Sequence, residues 1–123
     1  MIVVKKLLNK EKFIIHTHRE EVIGRRWTSI YDVAEMVLFI LNQPAGGTYN
    51  TTSDFMTNLD FLKHVANAMD INDFDYELVE EGISGRMGNQ DAPPDLIRSL
   101  GWKPSRTFEQ RIKDFVNSTQ VSF

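Results

Sequence analysis

Between Val33 and Leu41 every position except Glu35 is apolar: Val33, Ala34, Met36, Val37, Leu38, Phe39, Ile40 and Leu41. Ser29, with Asp32 three residues later, is a helix-start signal, because a serine oxygen accepts an orphan amide and an acidic side chain offsets the positive helix end. Asn42-Gln43-Pro44 ends the run, since proline breaks the ladder and restricts the residue before it. A helix apolar on nearly every side must be covered on more than one face, which demands a layered domain. The chain has 123 residues, so it is one domain and buries about two-thirds of the surface its unfolded form exposes. It is too short to hold a full dinucleotide-binding sheet and a second lobe together.

Other classes fall away on composition. There is no cysteine, so disulfides and thiolate metal sites are excluded. With 14 basic and 17 acidic residues the net charge is −3, and the pI near 5.6 argues against a duplex-DNA footprint while leaving room for one local phosphate site. No run of 18 or more apolar residues occurs, and Met1 leads into Lys5-Lys6 rather than a cleavable hydrophobic segment, so a soluble, cytosolic chain with no membrane or nucleic-acid partner is expected.

Along the rest of the chain, Ile2 to Asn9 has apolar residues at helical spacing, and Phe13-Ile14-Ile15-His16 reads as a strand. Thr17 to Gly24 is polar and reads as a loop. Gly46-Gly47 predicts a turn into a strand at Thr48-Tyr49-Asn50-Thr51. Thr57 with Asp60 caps a helix whose stripe is Phe61, Leu62, Val65, Ala66 and Met69. Phe74, Tyr76 and Leu78 alternate with polar or flanking positions, the pattern of a strand with one buried face. A glycine-bearing loop from Gly82 to Asn89 precedes a short helix opened by Pro93-Pro94-Asp95 and stopped by Gly101. Thr107 and Gln110 form a capping box ahead of Phe108, Ile112, Phe115 and Val116. The sum is a small α/β (α+β) domain of about four helices and three to four short strands.

Few residues carry chemistry. Gly82-Ile83-Ser84-Gly85-Arg86-Met87-Gly88 has the glycine spacing of a dinucleotide fingerprint, but Glu80-Glu81 precede it and Ala92-Pro93-Pro94 interrupts the stretch after it, so it reads as a loop. His16-Thr17-His18 lacks a third ligand at metal spacing, and Asp54, Asp60, Asp70, Asp73 and Asp75 fail the calcium-loop pattern. Neither a Gly-x-Ser-x-Gly turn nor a Tyr-x-x-x-Lys pair is present. Arg25-Arg26 before Trp27 are either solvated charges beside an aromatic or a guanidinium clamp for an anion, with Arg86 a similar case.

Arg25-Arg26-Trp27-Thr28-Ser29-Ile30-Tyr31-Asp32-Val33-Ala34 resembles the segment R-D-F-V-Y-V-D-D-V-A of the extended short-chain dehydrogenase/reductases, the NAD-dependent nucleotide-sugar epimerases and dehydratases. The likeness continues in order through Gly47-Thr48-Tyr49-Asn50, Thr57-Asn58-Leu59-Asp60-Phe61, Leu100-Gly101-Trp102-Lys103-Pro104 and Thr107-Phe108-Glu109. It implies the C-terminal, substrate-binding portion of such an enzyme without its Rossmann lobe. Arg25 and Arg86 match arginines that contact the diphosphate of a UDP- or dTDP-sugar. Arg26 stands where the family has aspartate, Tyr31 replaces the first of two aspartates, and either Arg25 or Arg26 could face the phosphate. The family's catalytic tyrosine, lysine and glycine fingerprint lie upstream of these motifs, so no catalytic residue and no NAD(P) site is expected here, and hydride transfer is not expected of the chain alone. The alternative is a non-enzymatic interaction or homo-oligomerisation module that keeps the fold, suggested by the apolar helix and its need for cover.

Overall fold

Five helices and five strands form among the described residues of the computed structural model, which are 2–44, 47–80 and 92–121. In chain order they are α1 (Ile2–Leu8), β1 (Phe13–His18), β2 (Glu21–Val22), β3 (Gly24–Trp27), α2 (Ile30–Leu41), β4 (Asp54–Thr57), α3 (Asn58–Ala68), β5 (Tyr76–Glu80), α4 (Asp95–Ser99) and α5 (Phe108–Val121). The class is the small mixed α/β domain expected, with a helix and a strand more than the sequence pattern suggested.

Side-chain caps place three of the helices. Ser29 Oγ accepts from the Tyr31 amide at the start of α2, and Thr57 Oγ1 accepts from the Asp60 amide at 3.1 Å at the start of α3. At α5 the box is reciprocal: the Gln110 amide donates to Thr107 Oγ1, and the Thr107 amide donates to Gln110 Oε1. Gly101, at φ 104°, supplies the left-handed residue that follows α4, a conformation costly for any residue with a Cβ.

The strands make two small sheets. In one, β1 lies between β2, antiparallel, and β5, parallel, with Phe13 opposite Tyr76 and Thr17 opposite Glu80. In the other, β3 and β4 pair antiparallel with Arg25 opposite Met56 and Arg26 opposite Phe55. Gly24 permits that approach: a Cβ there would lie 2.8 Å from the Phe55 ring and 3.2 Å from the Met56 carbonyl oxygen. The main core joins α1, β1, α3 and α5 through Val4, Phe13, Ile15, Val65 and Ile112. A second cluster of Met36, Ile97 and Trp102, flanked by Phe39, Ile40 and Tyr49, holds α2 to α4.

Four expectations change. Thr17 to Gly24 is not a loop, because β1 runs through His18 and turns back at Arg19 and Glu20, both at positive φ (51° and 69°), into β2. Thr48 to Thr51 form no strand, and the strand instead comes later, at β4. Strand β5 has the predicted alternation but no buried face: Tyr76 and Leu78 are exposed, since β5 is a sheet edge. Helix α2 is covered on one face only, with Ile30, Leu38 and Leu41 exposed by 75, 62 and 74%. The loop expected at Gly82 to Asn89 lies outside the described residues.

Candidate functional site

Strand β3 alternates its side chains, so Arg25 and Trp27 share one face while Gly24 and Arg26 share the other. Trp27 is fixed by stacking on Phe61 of α3, with ring centroids 3.7 Å apart and planes within 3°, and its indole N–H donates to the Met56 carbonyl. The Arg25 guanidinium lies 5.3 Å from the Trp27 ring, a cation–π distance, and its buried Nε has no hydrogen-bond partner. Arg26 is engaged differently: Nη1 donates to the Ser53 carbonyl at 2.8 Å, and the guanidinium sits over Phe55 at 5.8 Å. The two neighbours therefore stand on opposite faces, Arg26 holding the chain ahead of β4 and Arg25 stacked on an immobilised aromatic. Arg86 lies outside the described residues.

The β1–β2 hairpin, which leads into β3, is tied to the end of β5. Glu80, the last residue of β5, accepts from Thr17 Oγ1 at 2.6 Å, from the Arg19 amide at 2.7 Å and from the Glu20 amide at 3.3 Å. These bonds hold its carboxyl below the ordinary carboxylate value, the Thr17 hydroxyl contributing most and the Arg19 amide next. One carboxylate thus supports a turn that has no glycine at its two left-handed positions.

Sequence reasoning did not find the buried ion-pair cluster around Arg111. Arg111 of α5 is 9% exposed, and its Nη1 donates to Asp32 Oδ2 at 2.9 Å, Asp54 Oδ2 at 2.6 Å and Ser53 Oγ at 2.9 Å. Asp32 is 1% exposed and Ser53 is fully buried, so the cluster ties α5 to α2 and to the entry of β4. Asp32 is thus a buried ion-pair partner as well as an acidic residue in the first helical turn. Arg111 falls between Phe108 and Ile112 on the buried stripe of α5, and a charge on such a stripe is the signal that could have exposed it. Beside the cluster lies a cavity of about 310 Å³ whose aromatic lining is Trp27, Tyr31, Phe61, Phe108 and Phe115. Arg25 does not line it.

No three histidine or acidic side chains among the described residues gather as metal ligands. The glycine-spaced stretch from Gly82 to Gly88 lies outside the described residues; β5, ahead of it, is a sheet edge with Tyr76 and Leu78 exposed. None of the described helices is long and apolar enough to cross a membrane.

No family profile matches the chain, and no curated protein sequence does either. Solved structures do. UDP-glucose 4-epimerase of Thermus thermophilus, in complex with NAD, matches 99% of the chain at TM-score 0.78 and 21% identity. UDP-N-acetylglucosamine 4-epimerase of Methanobrevibacter ruminantium M1, bound to UDP-N-acetylmuramic acid, matches 98% at 0.78 and 17% identity. The dTDP-glucose 4,6-dehydratase of Bacillus anthracis str. Ames, bound to NAD, matches 98% at 0.74 and 19% identity. The chain spans only 38 to 40% of those enzymes. What it shares with these nucleotide-sugar epimerases and dehydratases is the fold of that one portion, nearly end to end.

Proposed function

We propose that the chain is the nucleotide-sugar-binding, C-terminal lobe of an NAD-dependent epimerase or dehydratase, with Arg25 and Arg86 as the cations on the diphosphate. The observation that carries this reading is the state of Arg25. A guanidinium whose buried Nε makes no hydrogen bond keeps its charge at a desolvation cost, and an anionic ligand on its terminal nitrogens would offset that cost. Stacking on Trp27 limits its rotamers, so less entropy is lost when two N–H groups meet one phosphate. Arg26, already bonded to the Ser53 carbonyl, is the weaker candidate for that role. A nicotinamide cofactor, if the enzyme uses one, would be held by the portion this chain does not span, and hydride chemistry would come from there.

Isothermal titration with UDP- and dTDP-sugars tests the reading. Binding that weakens about tenfold or more in Arg25→Ala and in Arg86→Ala, with Arg19→Ala neutral, supports it. No heat with any of these ligands at millimolar concentration refutes it for the isolated chain. The second reading, an interaction or self-association module without a ligand, draws on the bare face of α2. It predicts the same silence in the titration together with a concentration-dependent mass in sedimentation.

A further inference from the structure

Arg111 is anchored through a single nitrogen. Its Nη1 meets Asp32, Ser53 and Asp54, while the buried Nε has no hydrogen-bond partner and Nη2 donates to none of the described residues. A guanidinium presents Nε–H and the adjacent Nη2–H as one planar fork, the edge that suits an oxygen acceptor. On a side chain only 9% exposed an idle fork is costly, because its donors have given up water without gaining a partner. The same side chain lines the cavity of about 310 Å³ beside the cluster.

The rest of the lining sorts the occupants that this cavity could take. Trp27, Tyr31, Phe61, Phe108 and Phe115 make it aromatic, and Asp54 brings to it a carboxylate about one-third exposed. Its volume is at the lower end of the roughly 300–1,000 Å³ of small-molecule pockets, room for one or two rings. An anionic occupant would meet Asp54 and Asp114 on the lining, and Arg111 already serves two carboxylates. A cationic occupant would meet Arg111 itself. It would also find two of the rings already facing guanidinium groups, Tyr31 with Arg106 at 4.3 Å and Phe108 with Arg111 at 5.7 Å. A purely apolar occupant would leave the fork unpaired. A neutral ring bearing a carbonyl acceptor beside an N–H donor satisfies every part of the lining at once.

We propose that this cavity is a binding site for a small neutral aromatic carboxamide, its carbonyl oxygen accepting from the Nε–Nη2 edge of Arg111, its N–H group donating to Asp54 and its ring lying among the aromatic side chains. The site is separate from the phosphate reading, because Arg25 does not line the cavity. Trp27 connects the two places: it borders the cavity and is the platform on which Arg25 stacks, so its indole reports occupancy.

Benzamide, benzoate and benzylammonium share one ring and differ in charge. Titrating the whole chain with each, followed by the backbone-amide and indole N–H shifts in NMR, tests the proposal. Benzamide should bind about tenfold or more tightly than either charged analogue. It should shift the Trp27 indole and the Ile112 amide, while the indole of Trp102, in the other cluster, stays in place. Arg111→Lys keeps a cation beside Asp32 and Asp54 but removes the fork, and should weaken benzamide about tenfold. Ser118→Trp, at an exposed position on the lining, should block the cavity and abolish the shifts. The absence of a saturable shift with benzamide at millimolar concentration overturns the proposal. So does a preference for either charged analogue or for none of the three, and so does binding that survives Ser118→Trp or a folded Arg111→Lys undiminished. If Arg111→Lys loses its amide dispersion, the charge series and Ser118→Trp decide the matter. Titration with nucleotide sugars is scored separately, so failure of one reading leaves the other standing.

Discussion

Replacing Arg111 with methionine removes the cation from the buried cluster while keeping most of the side-chain volume. Three acceptors lose one donor at once: Asp32 Oδ2, Asp54 Oδ2 and Ser53 Oγ, all within 2.9 Å of Nη1. Asp54 is about one-third exposed and can turn to water, but Asp32 at 1% exposure cannot. The loss is therefore dominated by one uncompensated buried carboxylate, about 3–5 kcal/mol when one partner of a buried pair is removed. A domain of this length has roughly 6–18 kcal/mol of stability in all, at about 0.05–0.15 kcal/mol per residue. Arg111→Met should then lower the urea midpoint at pH 7 by about a sixth or more of its value, with the slope unchanged. Asp32→Asn alone should also be costly, because it leaves Arg111 half-paired, and the double variant should be less destabilised than the sum of the two singles. If Arg111→Met costs under about 1 kcal/mol, or if the two substitutions add, the cluster is a solvated contact and the reasoning fails.

Protonation of Glu80 should loosen the β1–β2 turn. Its folded value lies below the ordinary 4.5, so its contribution is complete above that pH and disappears as pH falls through the lower folded value. Glu80→Gln should flatten that part of the acid limb in urea midpoints taken from about pH 7 to about pH 3; an unchanged acid limb would show that the carboxylate is not what holds the turn. Thr57→Ala, which removes the acceptor for the Asp60 amide, should cost about 1 kcal/mol in the same assay, and Thr57→Ser should restore most of it. Met36→Ala, at a fully buried position of the smaller core, should cost about 2–5 kcal/mol. Leu41→Ala on the same helix should change stability by no more than about 0.5 kcal/mol, and a larger loss would mean the exposed face is already covered.

Local physics was legible in the sequence, and contacts between distant residues were not. The caps at Ser29, Thr57 and Thr107 depend on atoms two or three residues away, and each forms as its spacing implies. The turn at Arg19-Glu20 was hidden because its support, Glu80, lies about sixty residues downstream and neither turn residue is glycine. Arg111 was hidden for a related reason, its acceptors being 57 to 79 residues away. The Thr48 to Thr51 segment was misread as a formed strand because composition specifies a preference for pairing and cannot supply the neighbour to pair with. The Arg25-Arg26 ambiguity required β3 itself, since only strand alternation and the Ser53 carbonyl distinguish the two faces.

The contact between Glu80 and the hairpin also acts as a register gauge. A parallel ladder can slip, and a slip of one residue moves a strand by about 3.3 Å and turns each side chain to the opposite face. Glu80 meets Thr17 Oγ1 and the two turn amides only in the observed pairing, Thr17 opposite Glu80. Strand β1 continues through the hairpin to Arg25, and β5 ends at the base of the segment that carries Arg86. One acidic side chain thereby sets the offset between β5 and the hairpin that leads into β3. A one-residue slip of β1 would turn Phe13 and Ile15, which face the core shared with α1, α3 and α5, to the side now held by the exposed Ile14 and His16.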